Sequence, residues 1–437
     1  MVGVTQMVPG DEQDHHGSHR DLLWSGDHVQ RRSIDAIIVP TARRPAYLSE
    51  AAALAEALGC TLVTLHSKQW TSADKAVPRL PRSVDIMAID VPDPAQLNLP
   101  DWQTAQYLPD KIFPRLAKYP RTDLSAKRNL GLVLSRLLGW SAVMFLDDDI
   151  TQVDPEDVRQ ASGLLDAHDA VGLHVGGFAD HSVVCRAFRD AGGRQQSFIG
   201  GGALVVQSDR MRSFFPEIYN DDWFFLLDGH KELQSVAATG HALQYPYDPF
   251  RPDRARAEEF GEVLAEGIYW LLDQNLSIAD ADDAHWTSDQ RVRKQFIERV
   301  QAMVAADKAL DAAEKARRTE SLQGSLGRLK LITPRLCGSY LRAWQADQDA
   351  WRRHIDALPM RVPLIDALGM LTRPGVPPLH YRLRPPRNQR VHIPHPADGR
   401  HVPEMPAARP PVHHAGEGRR TDLLSAGPGS AAGTLAR

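Results

Sequence analysis

Apolar residues along the chain fall into short bounded runs separated by helical patterns. Ile34 to Val39, Thr61 to Leu65, Val84 to Ile89, Ser141 to Leu146, Ala170 to Val175 and the run after Gly200-Gly201-Gly202 each read as a buried strand. Ser49 to Leu58, closed by Gly59, has helical spacing, as do the leucines after Ser125 and the stretch Val153 to Ala167. This strand–loop–helix–strand order predicts a parallel α/β unit. His181 and Arg186 are expected in a loop beyond Gly176-Gly177, a later strand at His241 to Tyr247 and helix at Glu258 to Leu272. From 288 to 358, Val292, Phe296, Val300, Met303 and Val304 repeat at helical spacing, which predicts a helical region.

The expected fold class is therefore α/β: a mostly parallel, Rossmann-like sheet flanked by helices, with a C-terminal helical extension and disordered tails. Residues 1–32 are polar and lack apolar periodicity, which predicts a disordered lead-in; His15, His16 and His19 belong to it. The sheet domain is assigned to 33–285 and the helical region to 286–372. That region could pack on the sheet or pair chains into a homo-oligomer. Eleven of the 31 prolines lie between Pro374 and Pro411, and 373–437 carries ten arginines, no lysine and four acids. Such a segment buries little apolar surface, so a disordered Pro/Arg-rich tail is expected there.

Composition narrows the function classes. The chain has 437 residues, 43% of them hydrophobic, and a net charge of −4, which gives no global pull toward nucleic acid. No apolar run approaches the roughly 18–20 residues of a membrane span. Cys60, Cys185 and Cys337 are far apart and fit neither a disulfide framework nor a metal motif, so a reducing, cytoplasmic setting is expected.

The chemistry concentrates at a few places. The run ending at Leu146 leads straight into Asp147-Asp148-Asp149. Three acids cannot follow a buried strand into a core, since unpaired buried carboxylates are costly. They belong where the strand leaves the sheet, the end at which open α/β sheets bind ligands. A hard divalent cation, Mn²⁺ or Mg²⁺, would relieve their repulsion and hold a diphosphate in turn; a solvated acidic turn is the competing account. The loop Pro40-Thr41-Ala42-Arg43-Arg44-Pro45 offers a hydroxyl and two guanidiniums suited to diphosphate or base stacking. Lys127 and Arg128 stand in the first turn of a helix, where the helix dipole disfavours cations, so they are expected to serve a ligand. Gly200-Gly201-Gly202 lets backbone approach a ligand closely. Asn220-Asp221-Asp222-Trp223 sets two carboxylates before an aromatic run, as a helix cap or as a general base.

Taken together, these segments resemble the GT-A glycosyltransferases, especially the family-two-like bacterial enzymes that use nucleotide sugars. Val39-Pro40-Thr41 with Arg44 is similar to their opening nucleotide loop, and Lys127-Arg128-Asn129-Leu130-Gly131 to their Arg-Asn-x-Gly helix. Phe145-Leu146-Asp147-Asp148-Asp149 resembles their DxD element, Gly201-Gly202-Ala203-Leu204 their acceptor-side glycine segment, and Asn220-Asp221-Asp222-Trp223 their acidic pair followed by Trp. The likeness spans about residues 34 to 250 and departs at His66-Ser67, where the family usually has Asp. It implies a GT-A fold and a nucleotide-sugar donor held by Pro40, Thr41, Arg44, Lys127, Arg128, Asn129, Asp147 and Asp148. It further implies a metal on Asp147 and Asp149, a catalytic pair Asp221 and Asp222 with Asp222 as base, and Gly201, Gly202 and Trp223 facing a hydroxyl acceptor, whether small molecule, glycan or lipid-linked. A third metal ligand is left open among Asp248, His241 and His285. A nucleotidyltransferase and an inactive scaffold domain are the alternatives; the loop after the first strand has no glycine, which counts against the former.

Overall fold

The structure, a computed structural model, describes residues 30–67, 70–113, 122–177, 182–193, 199–228 and 235–385. The expected lead-in to residue 29, His181 and the chain beyond residue 385 lie outside the described residues.

Among the described residues, nine strands form one mixed sheet flanked by helices. In chain order they are β1 (Ala36–Thr41), β2 (Thr61–His66), β3 (Ile86–Asp90), β4 (Ala142–Leu146), β5 (Ile150–Thr151), β6 (Ala170–Gly176), β7 (Ala203–Gln207), β8 (Val236–Gln244) and β9 (His380–Arg384). Their order across the sheet is β5-β8-β6-β7-β4-β1-β2-β3-β9. β4, β1, β2 and β3 run parallel, as do β6 and β8. β7 is antiparallel to both β4 and β6, and β5 and β9 are antiparallel at the two edges.

Alternation along each strand sends side chains to opposite faces. Ile37 and Val39 join the layer beneath the Ser49–Leu58 and Pro155–Leu164 helices, whereas Ala36 and Ile38 join the layer built by the Leu124–Leu138 and Pro252–Asp273 helices. The helices Asp283–Ala306, Ala312–Leu329 and Pro334–Ala357 extend this second layer, and Trp286, Trp344 and Trp351 are buried in it. The helical region is thus continuous with the core of the sheet. Pro40, which has no N–H to give, is tolerated in a central strand because the pairing of β4 with β1 ends at Ile38.

Three expectations need correction. The last strand of the sheet domain begins at Val236, not His241, and ends at Gln244. A register shift against β6 between Gly172 and His174, and Gly240 at φ 63°, break the alternation that would mark it. Arg186 lies on a helix, Val183–Asp190, rather than in a loop. The segment from 373 is ordered as far as 385: β9 pairs along β3, and Arg373 donates to the Leu97 and Leu99 carbonyls. An edge strand is held by its backbone, so an Arg-rich sequence with little apolar content still builds one.

Candidate active site at the acidic end of the central strand

β4 and its parallel neighbours β1 and β2 end at the same edge of the sheet, and β4 delivers the three acids there. Each acid has its own partners. Asp147 accepts Nη2 of Arg128 at 3.0 and 3.2 Å. Asp148 accepts the Thr41 hydroxyl at 2.7 Å and Nη1 of Arg43 at 2.9 Å. Asp149 accepts Nη2 of Arg43 at 3.0 Å and the Gln244 amide at 3.3 Å. Burial pushes Asp148 up to about 6, against the opposing pull of the Thr41 hydroxyl and Arg43. Asp149 is also raised, by burial first and then by the charge of Asp147.

Arg128 joins the acidic strand end to the second acidic motif. Its Nη1 meets Asp221 at 3.0 and 3.2 Å, across 93 positions of sequence. The guanidinium is 3% exposed and packs over the Phe215 ring at 5.3 Å. Burial alone would lower its pKa, but Asp147 and Asp221 more than offset that and keep it charged. Burial pushes Asp221 up to about 6 while Arg128 pulls it down. Ser125 donates to Asp221 at 3.0 Å and to the Pro216 carbonyl at 2.9 Å.

The glycines are required by close approach. A Cβ at Gly201 would lie 2.8 Å from Nη1 of Arg128, and one at Gly202 would lie 3.0 Å from Oδ2 of Asp147. Gly201 N–H donates to Asp222 at 2.7 Å, and Trp223 N–H donates to its other oxygen at 3.0 Å. Two backbone amides therefore set the direction of the Asp222 carboxylate, which is only partly buried. Asp222 does not cap the Asp221–Phe225 helix; that position is Asn220, at φ 64°. Trp223 is buried against the Tyr269 ring, 4.6 Å between centroids, and its carbonyl accepts the Tyr269 hydroxyl.

The remaining predicted residues distribute unevenly. Lys127 is 2% exposed and donates to the Thr41 carbonyl at 2.9 Å and Ser67 at 2.6 Å, with Asp123 at 3.1 Å. Lys127 and Arg128, expected to serve a ligand, thus bind the chain's own loops. Asn129 exchanges two hydrogen bonds of 2.8 Å with the Phe215 backbone and is buried. His66, where the acidic residue of the family would stand, shares hydrogen bonds with Thr64 and Thr71; burial, then the charge of Lys127, lowers it to about 4, so it is neutral. Arg44 packs over Trp70 at 6.0 Å, while the neighbouring Arg43 meets the acids. Gln244 was not expected at the site: it falls in the middle of the expected His241–Tyr247 strand, whereas in the structure it ends β8 beside Asp149.

The open third ligand does not resolve onto the site. Asp248 is paired with Arg317. His285 is half-buried beside Trp270 and Trp286, with Nε2 3.1 Å from the Gly267 carbonyl. His241 lies three residues before Gln244 on β8, which puts it about 10 Å back along the strand on the opposite face. Among the described residues, the set Cys185, Glu262 and Glu266 is close enough to share a metal ion, but Arg293 already lies 3.2 Å from Glu262 and 2.8 Å from Glu266. The acids after β4 are a different kind of donor set: hard carboxylate oxygens at the rim of the sheet, where the Arg43 guanidinium already stands as a cation. That chemistry suits Mg²⁺ or Mn²⁺, which bind through one or two carboxylates together with substrate phosphate and water.

No family model and no curated protein matches the chain. Among solved structures, it is similar to a mannosyltransferase from Pyrobaculum calidifontis, described in complex with GDP-Man and Mn²⁺. The two share 14% identity, with 74% of this chain and 86% of the other covered and a TM-score of 0.36. Function has to be read from the site itself. No described helix is long and apolar enough to cross a membrane.

Proposed function

We propose that the chain is a metal-dependent glycosyltransferase of GT-A type that moves a sugar from a nucleoside-diphosphate donor to a hydroxyl acceptor. The observation that carries this is the bridge made by Arg128. One buried guanidinium ties the acids after β4 to the acidic pair at 221–222, with Gly201 and Gly202 pressed against both ends of the bridge. A fixed cation, a carboxylate cluster and an oriented carboxylate then share one edge of the sheet. Displacing a diphosphate with a hydroxyl needs those three things.

Asp147 and Asp149 would hold a divalent cation, whose charge would stabilise the departing diphosphate. Thr41 and Arg43 line the same edge and offer donors to phosphate. Asp222, oriented by the Gly201 and Trp223 amides, would accept the proton of the acceptor hydroxyl. Asp221 is spent on Arg128 and Ser125, so its role is to position Arg128. Lys127 and Asn129 hold the loops at Thr41 and Phe215 that frame the donor.

The test is a thermal-shift panel of UDP-, GDP- and TDP-sugars with and without Mn²⁺, with Asp149→Ala as control. The expected result is a metal-dependent rise in Tm with one donor, absent in Asp149→Ala. No metal-dependent rise with any donor would contradict the proposal.

A further inference from the structure

Two arginines reach the acids after β4, and their settings differ. Arg128 is 3% exposed, clamped between Asp147 and Asp221 and packed on Phe215. It cannot leave without stranding the buried Asp221 carboxylate. Arg43 comes from the loop after β1, and its side chain is 44% exposed. Its guanidinium bridges Asp148 and Asp149 at 2.9 and 3.0 Å. Its two carboxylate partners are only 10 and 12% exposed, so this solvent-facing cation leaves them when another cation takes its place. The loop backbone is anchored separately, Arg43 N–H donating to Thr41 Oγ1 at 3.2 Å, so the side chain can swing while the loop stays. In this same position the guanidinium carbon lies 5.2 Å from the centroid of the Tyr47 ring. Tyr47 in turn packs edge-on to Tyr245, whose N–H donates to the Asp149 carbonyl.

We propose that Arg43 is a displaceable resident cation: it competes with a divalent metal for Asp149, the carboxylate the two would share, and, once displaced, becomes a ligand of the diphosphate. This rests on the reading of the site as one for a metal and a nucleoside diphosphate. A positive guanidinium and a divalent ion repel at such range, so both cannot sit on the same carboxylate. The metal alone therefore binds poorly. A metal that arrives with a diphosphate gives the released guanidinium an anionic partner with matching fork geometry. Arg43 thereby couples two binding events and biases the site toward the metal–diphosphate complex over free metal ion.

The test is Mn²⁺ binding to the full chain without nucleotide, followed by the electron paramagnetic resonance of free Mn²⁺. Arg43→Ala is expected to bind Mn²⁺ roughly five- to tenfold more tightly than the parent. Arg43→Lys, which keeps the charge, is expected to stay nearer the parent. Adding Asp149→Ala to Arg43→Ala is expected to abolish the gain. Equal Mn²⁺ affinity in the parent and Arg43→Ala overturns the inference, as does a gain that survives loss of Asp149. The same titration repeated with UDP or GDP separates the two ideas. If the parent binds Mn²⁺ with nucleotide and Arg43→Ala changes nothing, only the role of Arg43 falls. If neither protein binds Mn²⁺ with or without nucleotide, the functional reading falls with it.

Discussion

Arg128 gathers residues that the sequence holds far apart, and the smallest side chains beside it are set by that task. Gly202 leaves Asp147 the room it uses: Gly202→Ala would place a methyl 3.0 Å from the carboxylate. That substitution is expected to cost roughly 1–3 kcal/mol by overpacking, measured by urea unfolding, and to weaken metal-dependent nucleotide binding in parallel. Asp222→Asn is expected to keep donor affinity but slow transfer about 10²–10⁴-fold, the usual span for removing a general base. Full transfer activity in Asp222→Asn would reduce Asp222 to an anchor for the Gly201 turn. The acids and the glycines stood out in the sequence because their residue types have few other uses in that order, whereas Arg128 read as a ligand group and its bridge between Asp147 and Asp221 was hidden. So were the other partners. Nothing in the sequence tells Arg43 from Arg44, and one position decides which guanidinium meets the acids and which packs on Trp70. Asn129 reads as a ligand group until its amide is seen to be matched to the Phe215 backbone.

At the level of elements, the strands buried on both faces were readable from their apolar runs, and the Ser49–Leu58 helix from its spacing and terminal Gly59. β8 was given the wrong bounds and β9 was missed for physical reasons: a register shift hides the alternation of one, and backbone pairing alone builds the other. Also hidden was the ionic layer between the Pro252–Asp273 and Asp283–Ala306 helices. There Arg293, 1% exposed, pairs with Glu259, Glu262 and Glu266. Helical spacing marks such positions as polar, and only packing shows them to be buried. Arg293→Met leaves three carboxylates without their cation and is expected to cost roughly 3–5 kcal/mol of stability, read by urea denaturation. Asp289, 1% exposed beside this layer, is pushed up to about 7 by burial; Arg293 opposes the shift, and Glu259 adds to it. Glu266 and Cys337 also face it. Its folded pKa is above its ordinary value of 3.8, so its contribution to stability is full below that value and is lost as pH rises through about 7. Asp289→Asn should therefore raise Tm relative to the parent at pH 8 and lose that advantage at pH 4. An equal Tm difference at both pH values would show that Asp289 does not titrate in this range.

On the scale of the whole molecule, the sheet, its two helical layers and β9 form one core-sharing body over the described residues. The pairing of β9 along β3 shows where a truncation should be felt. A chain ending at residue 372 lacks β9 and the contacts of Arg373, whereas one ending at 385 retains both. The shorter chain is expected to melt several degrees lower than the longer one, since a loss of about 1 kcal/mol shifts Tm by a few degrees. Equal melting temperatures would mean that β9 adds nothing to the sheet.

The central claim is that the edge of the sheet around Arg128 transfers a sugar, and product analysis tests it most directly. The chain is incubated with Mn²⁺ and the nucleotide sugar that shifts its melting, with a mixture of hydroxyl acceptors, and the released nucleotide is identified. The account predicts free nucleoside diphosphate, released by the parent and not by Asp149→Ala. Pyrophosphate in place of nucleoside diphosphate, or equal release from Asp149→Ala, would contradict it.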